Sequence, residues 1–422
     1  MDKFVIDGPC SIKGKVYISG SKNASLPILA ASLLFDKQVV IKNLPRVRDI
    51  NTMISLLKSL GSKIVLSKDK RTVKIENKKN MKTFASYSLV KTMRGSILVL
   101  GPLIAKYQNS KCSLPGGCNL GARPINYHLY ALEKLGMSYE LNDGYILAKS
   151  KGKLKGTTIT FPRISVGATE NSIIAACLAK GKTILKNCAI EPEIKDLTNF
   201  LNSAGAKIKW LGRTCKIEGV NSLSKTEYSV MSDRIEAGTF CVASALSKGN
   251  LQINNIDSKV IGTELDLLKK AGAKVNIDAN KIFIKGPEKI KPIKNIKTKE
   301  WPGIATDMQS QLMVLMCRAN GKSTITENIF ENRFLHVGEL QRLGANIVIR
   351  KNKAIIQGNT KFIAAELMSS DLRASVALVL AAIVSNGKSY INRIYHLDRG
   401  YELLEYKLKK CKADIKRVSS ES

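Results

Sequence analysis

The sequence predicts an α/β protein of two domains, with six copies of one unit arranged as two pseudo-threefold globules of three units each. The first observation is a helix that ends in an apolar-Gly junction and runs into a short strand, with glycines at 61, 136, 205, 272 and 344. Successive gaps of 75, 69, 67 and 72 residues define a supersecondary unit, and Leu404 to Ile415 carries a sixth, degenerate copy. The second is a helix apolar on nearly every side in each copy, which must be enclosed by protein all round. The third is length: 422 residues exceed what a single core usually supports.

Each copy has the same parts. The apolar helices are Ala24 to Leu34, Ile97 to Ala105, Ile173 to Ala179, Phe240 to Leu246, Leu312 to Cys317 and Val376 to Val384. A Gly-x-x turn then enters a strand, as in Gly181-Lys182-Thr183-Ile184-Leu185 and Gly321-Lys322-Ser323-Thr324-Ile325. The second helix is amphipathic; Leu197, Phe200, Leu201 and Ala204 follow i, i+3, i+4, i+7. A hairpin closes the unit, clearest at Leu141 to Tyr145, where Asp143-Gly144 suits a type I′ turn. The strand at residues 3 to 8 precedes the first copy and is completed by the last, which makes the domain holding the termini discontinuous.

Charge and composition narrow the function classes. The formal charge is +34, from 68 Lys and Arg against 34 Asp and Glu, a balance that suits anionic partners. The lysines are scattered, without an arginine-rich tail or aromatic-basic interleaving, so nucleic acid is not the expected partner. Nine cysteines with no C-x-x-C pair read as reduced thiols of a cytosolic protein. Three dispersed histidines, His128, His336 and His396, supply too little for a metal site or a Ser/His/Asp triad, and no metal or organic cofactor is expected. No apolar run approaches the ~20 residues of a membrane span, so no membrane insertion is expected.

Two features carry chemistry. The first is the loop Leu114-Pro115-Gly116-Gly117-Cys118-Asn119-Leu120-Gly121-Ala122-Arg123-Pro124, whose glycines and prolines exclude helix and strand interior. It puts a thiol near a guanidinium, ahead of a Pro-opened helix, where cation and helix start both favour thiolate. The second is the set of polar openings of the apolar helices: Ser21-Lys22-Asn23, Lys91 to Arg94, Ser165 to Thr169, Ser232 to Glu236, Thr306 to Gln309 and Ser370 to Arg373. Ser, Thr and Asp there, Thr306 and Ser370 included, are ordinary N-caps. Lys22, Arg94 and Arg373 are not explained that way, because the helix dipole opposes a cation in the first turn unless an anion compensates it.

The segments Gly20 to Ala24, Leu114 to Cys118, Gly121 to Pro124, Ser165 to Thr169, Thr306 to Gln309 and Asp371 to Ser375, with Phe330-Glu331-Asn332-Arg333-Phe334 and Tyr395-His396 followed by Asp398-Arg399-Gly400-Tyr401, resemble the UDP-N-acetylglucosamine 1-carboxyvinyltransferases of the enolpyruvyl transferase family over essentially the whole chain. The resemblance implies the paired inside-out α/β barrel fold, with an active site in the interdomain cleft. It also implies a domain of residues 22–231 and a second of 1–21 with 232–422. The implied reaction moves the enolpyruvyl group of phosphoenolpyruvate to the 3-hydroxyl of UDP-N-acetylglucosamine, the committed entry to peptidoglycan synthesis, with no obligate protein partner.

In that reading Cys118 is the acid near C3 of phosphoenolpyruvate and the thiol that the epoxide fosfomycin alkylates, and Asp307 is the base. Lys22, Arg123, Arg333, Arg373 and Arg399 match the family's anion-binding positions: Lys22 and Arg123 toward phosphate, the other three toward carboxylate. The nucleotide sugar falls to Asn23, Arg94, the run Arg123, Pro124, Ile125, Asn126 and Tyr127, then Arg163, Ser165, Val166, Gly167, Asp307 and Ile329. Asn126, Tyr127 and Arg163 depart from the family's residue types. Arg48, Glu191, Asp233 and Asp371 read as supporting polar residues, and the 114–124 loop as a lid closing over the substrates. The sister 5-enolpyruvylshikimate-3-phosphate synthases share the fold and the phosphoenolpyruvate chemistry; the Leu-Pro-Gly-Gly run and Cys118 favour the cell-wall branch. From another class, a nucleic-acid-binding protein would use the +34 charge directly and show steep salt dependence.

Overall fold

The computed structural model describes residues 2–116 and 125–419, which divide into two compact units. One comprises residues 2–19 and 232–419 and the other 20–116 and 125–231. Residues 20 and 21 therefore fall with the second unit and not, as expected, with the chain start. The reason is local: Ser21 caps the helix that follows, and its N–H donates to Met231 O at 2.7 Å.

Six helices form the interior, three per unit: α1 (Lys22–Ala31), α2 (Leu100–Tyr107), α3 (Val166–Ala176), α4 (Arg234–Leu246), α5 (Gln309–Cys317) and α6 (Leu372–Ile383). Every residue of α4, α5 and α6 is buried, which only a helix apolar all round tolerates. Each unit has its own core, one around Phe4, Phe240 and Phe362, the other around Phe35, Phe161 and Phe200. At ~2 kcal/mol for each fully buried large apolar side chain, the interior helices of each unit stabilise that unit's own core.

Among the described residues, six four-stranded sheets of one pattern stand around them. A short edge strand, the interior helix and the next strand make a parallel crossover, and an antiparallel hairpin completes the sheet. Thr158–Thr160 and Lys182–Lys186 flank α3 and pair in parallel, and Lys182–Lys186 pairs antiparallel with Thr214–Glu218. The pattern is exchanged where the chain passes between units. Lys13–Tyr17, just ahead of α1, pairs with Asn250–Asn254, while Thr226–Ser229, just ahead of α4, pairs with Val39–Lys42. The first strand, Asp2–Gly8, lies between Gly387–Asn392 and Asp414–Ser419, so both chain ends close one sheet.

The repeated glycines have left-handed backbones, φ 112°, 105°, 95°, 103° and 94° at 61, 136, 205, 272 and 344. There a side chain is strained and glycine is not, which explains the spacing seen in the sequence. In the degenerate copy Lys412 takes that place at φ 74°. Asp143 and Gly144 both have positive φ, as a type I′ turn requires.

Candidate active site

Within residues 232–419 charge converges on Asp307. It lies on a 3-10 turn, Thr306–Met308, that leads into α5. Its Oδ1 accepts from Arg333 Nη2 at 2.8 Å and its Oδ2 from Arg373 Nη2 at 3.0 Å. The arginine side chains are 3% and 4% exposed and that of Asp307 27%, so the carboxylate is the accessible member of the group. Arg333 also donates through Nε and Nη2 to Thr306 O at 3.3 and 3.2 Å, which ties the guanidinium to the turn carrying Asp307.

Arg373 stands in the first turn of α6, 5.3 Å above the Tyr401 ring. The Tyr401 hydroxyl lies 2.9 Å from Thr239 Oγ1 and accepts from Gln311 Nε2 at 3.4 Å. Burial works against the Arg373 charge, but Asp307, then Tyr401 and Asp233, outweigh it and hold the guanidinium above its usual range. Arg399 ends the 3-10 turn Ile394–Arg399, whose Asp398 accepts from Arg417 Nη2 at 2.5 Å and Nη1 at 3.2 Å. Burial, aided by Arg333 and opposed by Asp371, pushes His336 down to about 4, so it is neutral at physiological pH.

Thr306 is not a cap: no side-chain cap bond opens α5, and its hydroxyl donates to Glu327 Oε2 at 3.0 Å. At α6 the cap is Asp371, whose Oδ1 accepts from Arg373 N and Ala374 N, and not Ser370. Asp233 caps α4 in the same way. Ile329, after the strand Ser323–Thr326, donates its N–H to Glu327 Oε1 at 2.8 Å.

Within residues 20–231 Lys22 is the first residue of α1, its Nζ 3.5 Å from Asp49 Oδ2 with both side chains almost buried. Asn23 follows it in the same turn, and Arg48 opens the helix Arg48–Leu60 that carries Asp49. Arg94 opens a 3-10 turn, Arg94–Val99, that runs into α2. Burial and then the Arg94 charge push His128 down to about 3. Asn171 Oδ1 accepts from Gly101 N at 2.8 Å, which fixes its amide and makes Nδ2 the donor to His128 Nδ1 at 3.1 Å. His128 is thereby the Nε2–H tautomer.

Ser165 caps α3 by accepting from Ala168 N at 3.3 Å, Val166 and Gly167 form its first turn, and Arg163 is exposed just ahead. A Cβ on Gly167 would come 3.0 Å from the His128 ring. Ile125 precedes the helix Asn126–Lys134, whose first turn contains Asn126 and Tyr127. Cys118, Arg123 and Pro124 lie outside the described residues.

Several polar residues of these clusters were not anticipated. Glu170 is buried in α3 beside Glu193 and Glu191; burial first, then those two charges, push its carboxyl well above the usual carboxylate range. The polar run Thr169-Glu170-Asn171-Ser172, just ahead of the predicted buried helix Ile173 to Ala179, was the signal for it. Tyr401 closes the Asp398 to Tyr401 segment quoted above, whereas Thr239 and Glu327 left no comparable signal. Among the described residues seven cysteines are buried, and burial pushes each thiol up: Cys411 to about 11; Cys112, Cys177, Cys188 and Cys317 to about 12; Cys215 and Cys241 further still. Such thiols are poor nucleophiles.

Residues 6–408 match the family model described as EPSP synthase (3-phosphoshikimate 1-carboxyvinyltransferase). The chain belongs to this family of enolpyruvyl transferases. It is 60% identical over 420 residues to the UDP-N-acetylglucosamine 1-carboxyvinyltransferase of Pelagibacter ubique, covering 99% of this chain and 100% of that one. Its identity to the proteins of that name from Rickettsia rickettsii and Coxiella burnetii is 48% and 46%, over 99% and 100% of this chain and 100% and 97% of theirs. Within the family the chain falls in this UDP-N-acetylglucosamine 1-carboxyvinyltransferase branch. Among solved structures it resembles the enolpyruvyl transferase NikO from Streptomyces tendae, with a TM-score of 0.91, 23% identity and coverage of 100% of this chain and 99% of that one. The EPSP synthase of Acinetobacter baumannii follows at 0.78 and 18%, covering 99% and 100%. These two likenesses show the inside-out α/β fold.

Proposed function

We propose that the protein transfers the enolpyruvyl group of phosphoenolpyruvate to the 3-hydroxyl of UDP-N-acetylglucosamine, releasing phosphate, as the committed step of peptidoglycan synthesis in the cytoplasm. The acceptor rests on the names of the full-length relatives. The chemistry rests on one observation: an accessible carboxylate, Asp307, gripped by two buried guanidiniums.

Adding an alcohol across the C2–C3 double bond of the enol phosphate removes one proton from the sugar hydroxyl and delivers one to C3, leaving a tetrahedral ketal at C2. Loss of a C3 proton and of phosphate from C2 then restores the double bond, with no covalent enzyme intermediate required. Asp307 takes the hydroxyl proton and Cys118 gives the proton to C3. Arg333, Arg373 and Arg399 receive the substrate carboxylate in the bidentate fashion a guanidinium permits, with Lys22 and Arg123 on phosphate. Arg333 and Arg373 each donate a hydrogen bond to Asp307. A substrate carboxylate can share those guanidiniums with Asp307. The remaining acceptor contacts are assigned to Asn23, Arg94, Ile125 to Tyr127, Arg163, Ser165 to Gly167 and Ile329.

The deciding measurement is phosphate release from phosphoenolpyruvate with UDP-N-acetylglucosamine or with shikimate 3-phosphate as acceptor. Release with the sugar nucleotide alone supports the reading; release only with shikimate 3-phosphate transfers it to the sister activity, and release with neither ends it. Fosfomycin should inactivate the wild type, and Cys118→Asp should keep turnover while losing that inhibition. Inhibition persisting in the variant takes Cys118 out of its role.

A further inference from the structure

Glu327 is a carboxylate with 3% exposure, and its partners are neutral. Oε1 accepts from the Thr298 hydroxyl at 2.9 Å and from the N–H groups of Ile329 at 2.8 Å and Phe330 at 3.2 Å. Oε2 accepts from the Thr306 hydroxyl at 3.0 Å. A buried carboxylate held by four neutral donors is a costly way to join loops that apolar contacts could join, unless their relative position matters. Glu327 joins three such loops. Thr298 follows the edge strand Ile296–Lys297, Thr306 begins the turn of Asp307, and Ile329 and Phe330 follow the strand Ser323–Thr326.

Further bonds make this junction rigid. Glu327 N donates to Asn352 O at 2.9 Å, and Asn352 Nδ2 returns a bond to Glu327 O at 3.2 Å. Asn328 N donates to the Thr298 hydroxyl at 2.9 Å. From the Oε2 side the network reaches Asp307, whose turn is also held at Thr306 O by Arg333. From the Oε1 side it reaches the backbone of Ile329, and also Phe330, whose ring lies 5.8 Å below the Arg333 guanidinium.

We infer that Glu327 is a positioning residue that sets the base turn and the Ile329 loop at one fixed separation, so that the hydroxyl held by the loop meets the carboxylate carried by the turn. The inference rests on the functional reading above. Its arms are separable. Thr306→Val keeps the side-chain shape and cuts only the Asp307 arm. Glu327→Gln keeps both arms, since its oxygen serves the three Oε1 donors and its amide can donate to the Thr306 oxygen. Glu327→Ala removes both.

The test compares steady-state kinetics of these three variants with amide hydrogen exchange at residues 329 and 330. In Thr306→Val, kcat falls roughly tenfold or more while KM for UDP-N-acetylglucosamine moves less than about twofold, as expected for a misplaced group that acts in the transition state. In Glu327→Ala both parameters worsen and the two amides exchange faster; Glu327→Gln stays within about threefold of wild type. A residue with a merely structural role would lower the melting temperature without splitting kcat from KM. Wild-type kcat in Thr306→Val overturns the inference, as does unchanged amide exchange in Glu327→Ala. If Glu327→Ala does not fold, Thr306→Val decides. A wild type that makes no product from phosphoenolpyruvate and UDP-N-acetylglucosamine defeats the functional reading instead, and the exchange result still judges the junction.

Discussion

The interior helices carry cations at both ends, and the two sets do different things. At the C-terminal ends Lys106 donates to Leu33 O and Phe35 O at 3.3 and 2.8 Å, and Arg318 donates to Val384 O at 3.3 Å. Each satisfies carbonyls that a helix leaves open and sits where the dipole favours positive charge. At the N-terminal ends Lys22 and Arg373 occupy first turns, where the dipole disfavours them, and each lies against a carboxylate, Asp49 or Asp307. A cation placed with the dipole serves the fold; one placed against it has to be held there by other charges, and such places are where an anionic substrate gains most.

The largest test of this contrast is Arg373→Gln, which should lower kcat/KM by about a hundredfold to a thousandfold, the scale of losing one charge-stabilising donor. A fall below about tenfold in a variant that melts like wild type would place Arg373 with the structural cations. His128 sharpens the contrast, being kept neutral beside Arg94. Its folded value, about 3, lies below the ordinary 6.5, so its contribution is present above pH 6.5 and lost as pH falls toward 3. Denaturant unfolding should lose about 2 kcal/mol between neutral pH and pH 5 on this account, and His128→Gln should remove that slope. An identical slope in the variant would assign it to other groups.

At the opposite ends, Lys106→Ala or Arg318→Ala should cost about 1 kcal/mol of stability with kcat unchanged. A clear loss of kcat at full occupancy by substrate would erase the distinction between the two ends. The smallest effect concerns the degenerate copy. Lys412→Gly should stabilise by about 0.5 to 1 kcal/mol, because lysine there bears the left-handed strain that glycine relieves in the other five copies.

Much of the fold was legible because it repeats. Glycine at 61, 136, 205, 272 and 344 marks one backbone requirement that only local sterics set, and wholly apolar helices announce burial wherever they lie. Asp233, Ser165 and Ser21 cap their helices as local rules say they should. The same rules failed at Thr306, since the partner of its hydroxyl comes from 21 residues further along the chain.

By itself the sequence determined the six units, their buried helices and the residue types that an enolpyruvyl transferase needs. The tertiary structure alone decided that Asp307 meets Arg333 and Arg373, that strands 13–17 and 226–229 are exchanged where the chain crosses, and that Glu327 joins three loops. The physical reason is range. Periodicity, capping and turn torsions act within a few residues, whereas which carboxylate meets which guanidinium depends on how whole units close upon their cores.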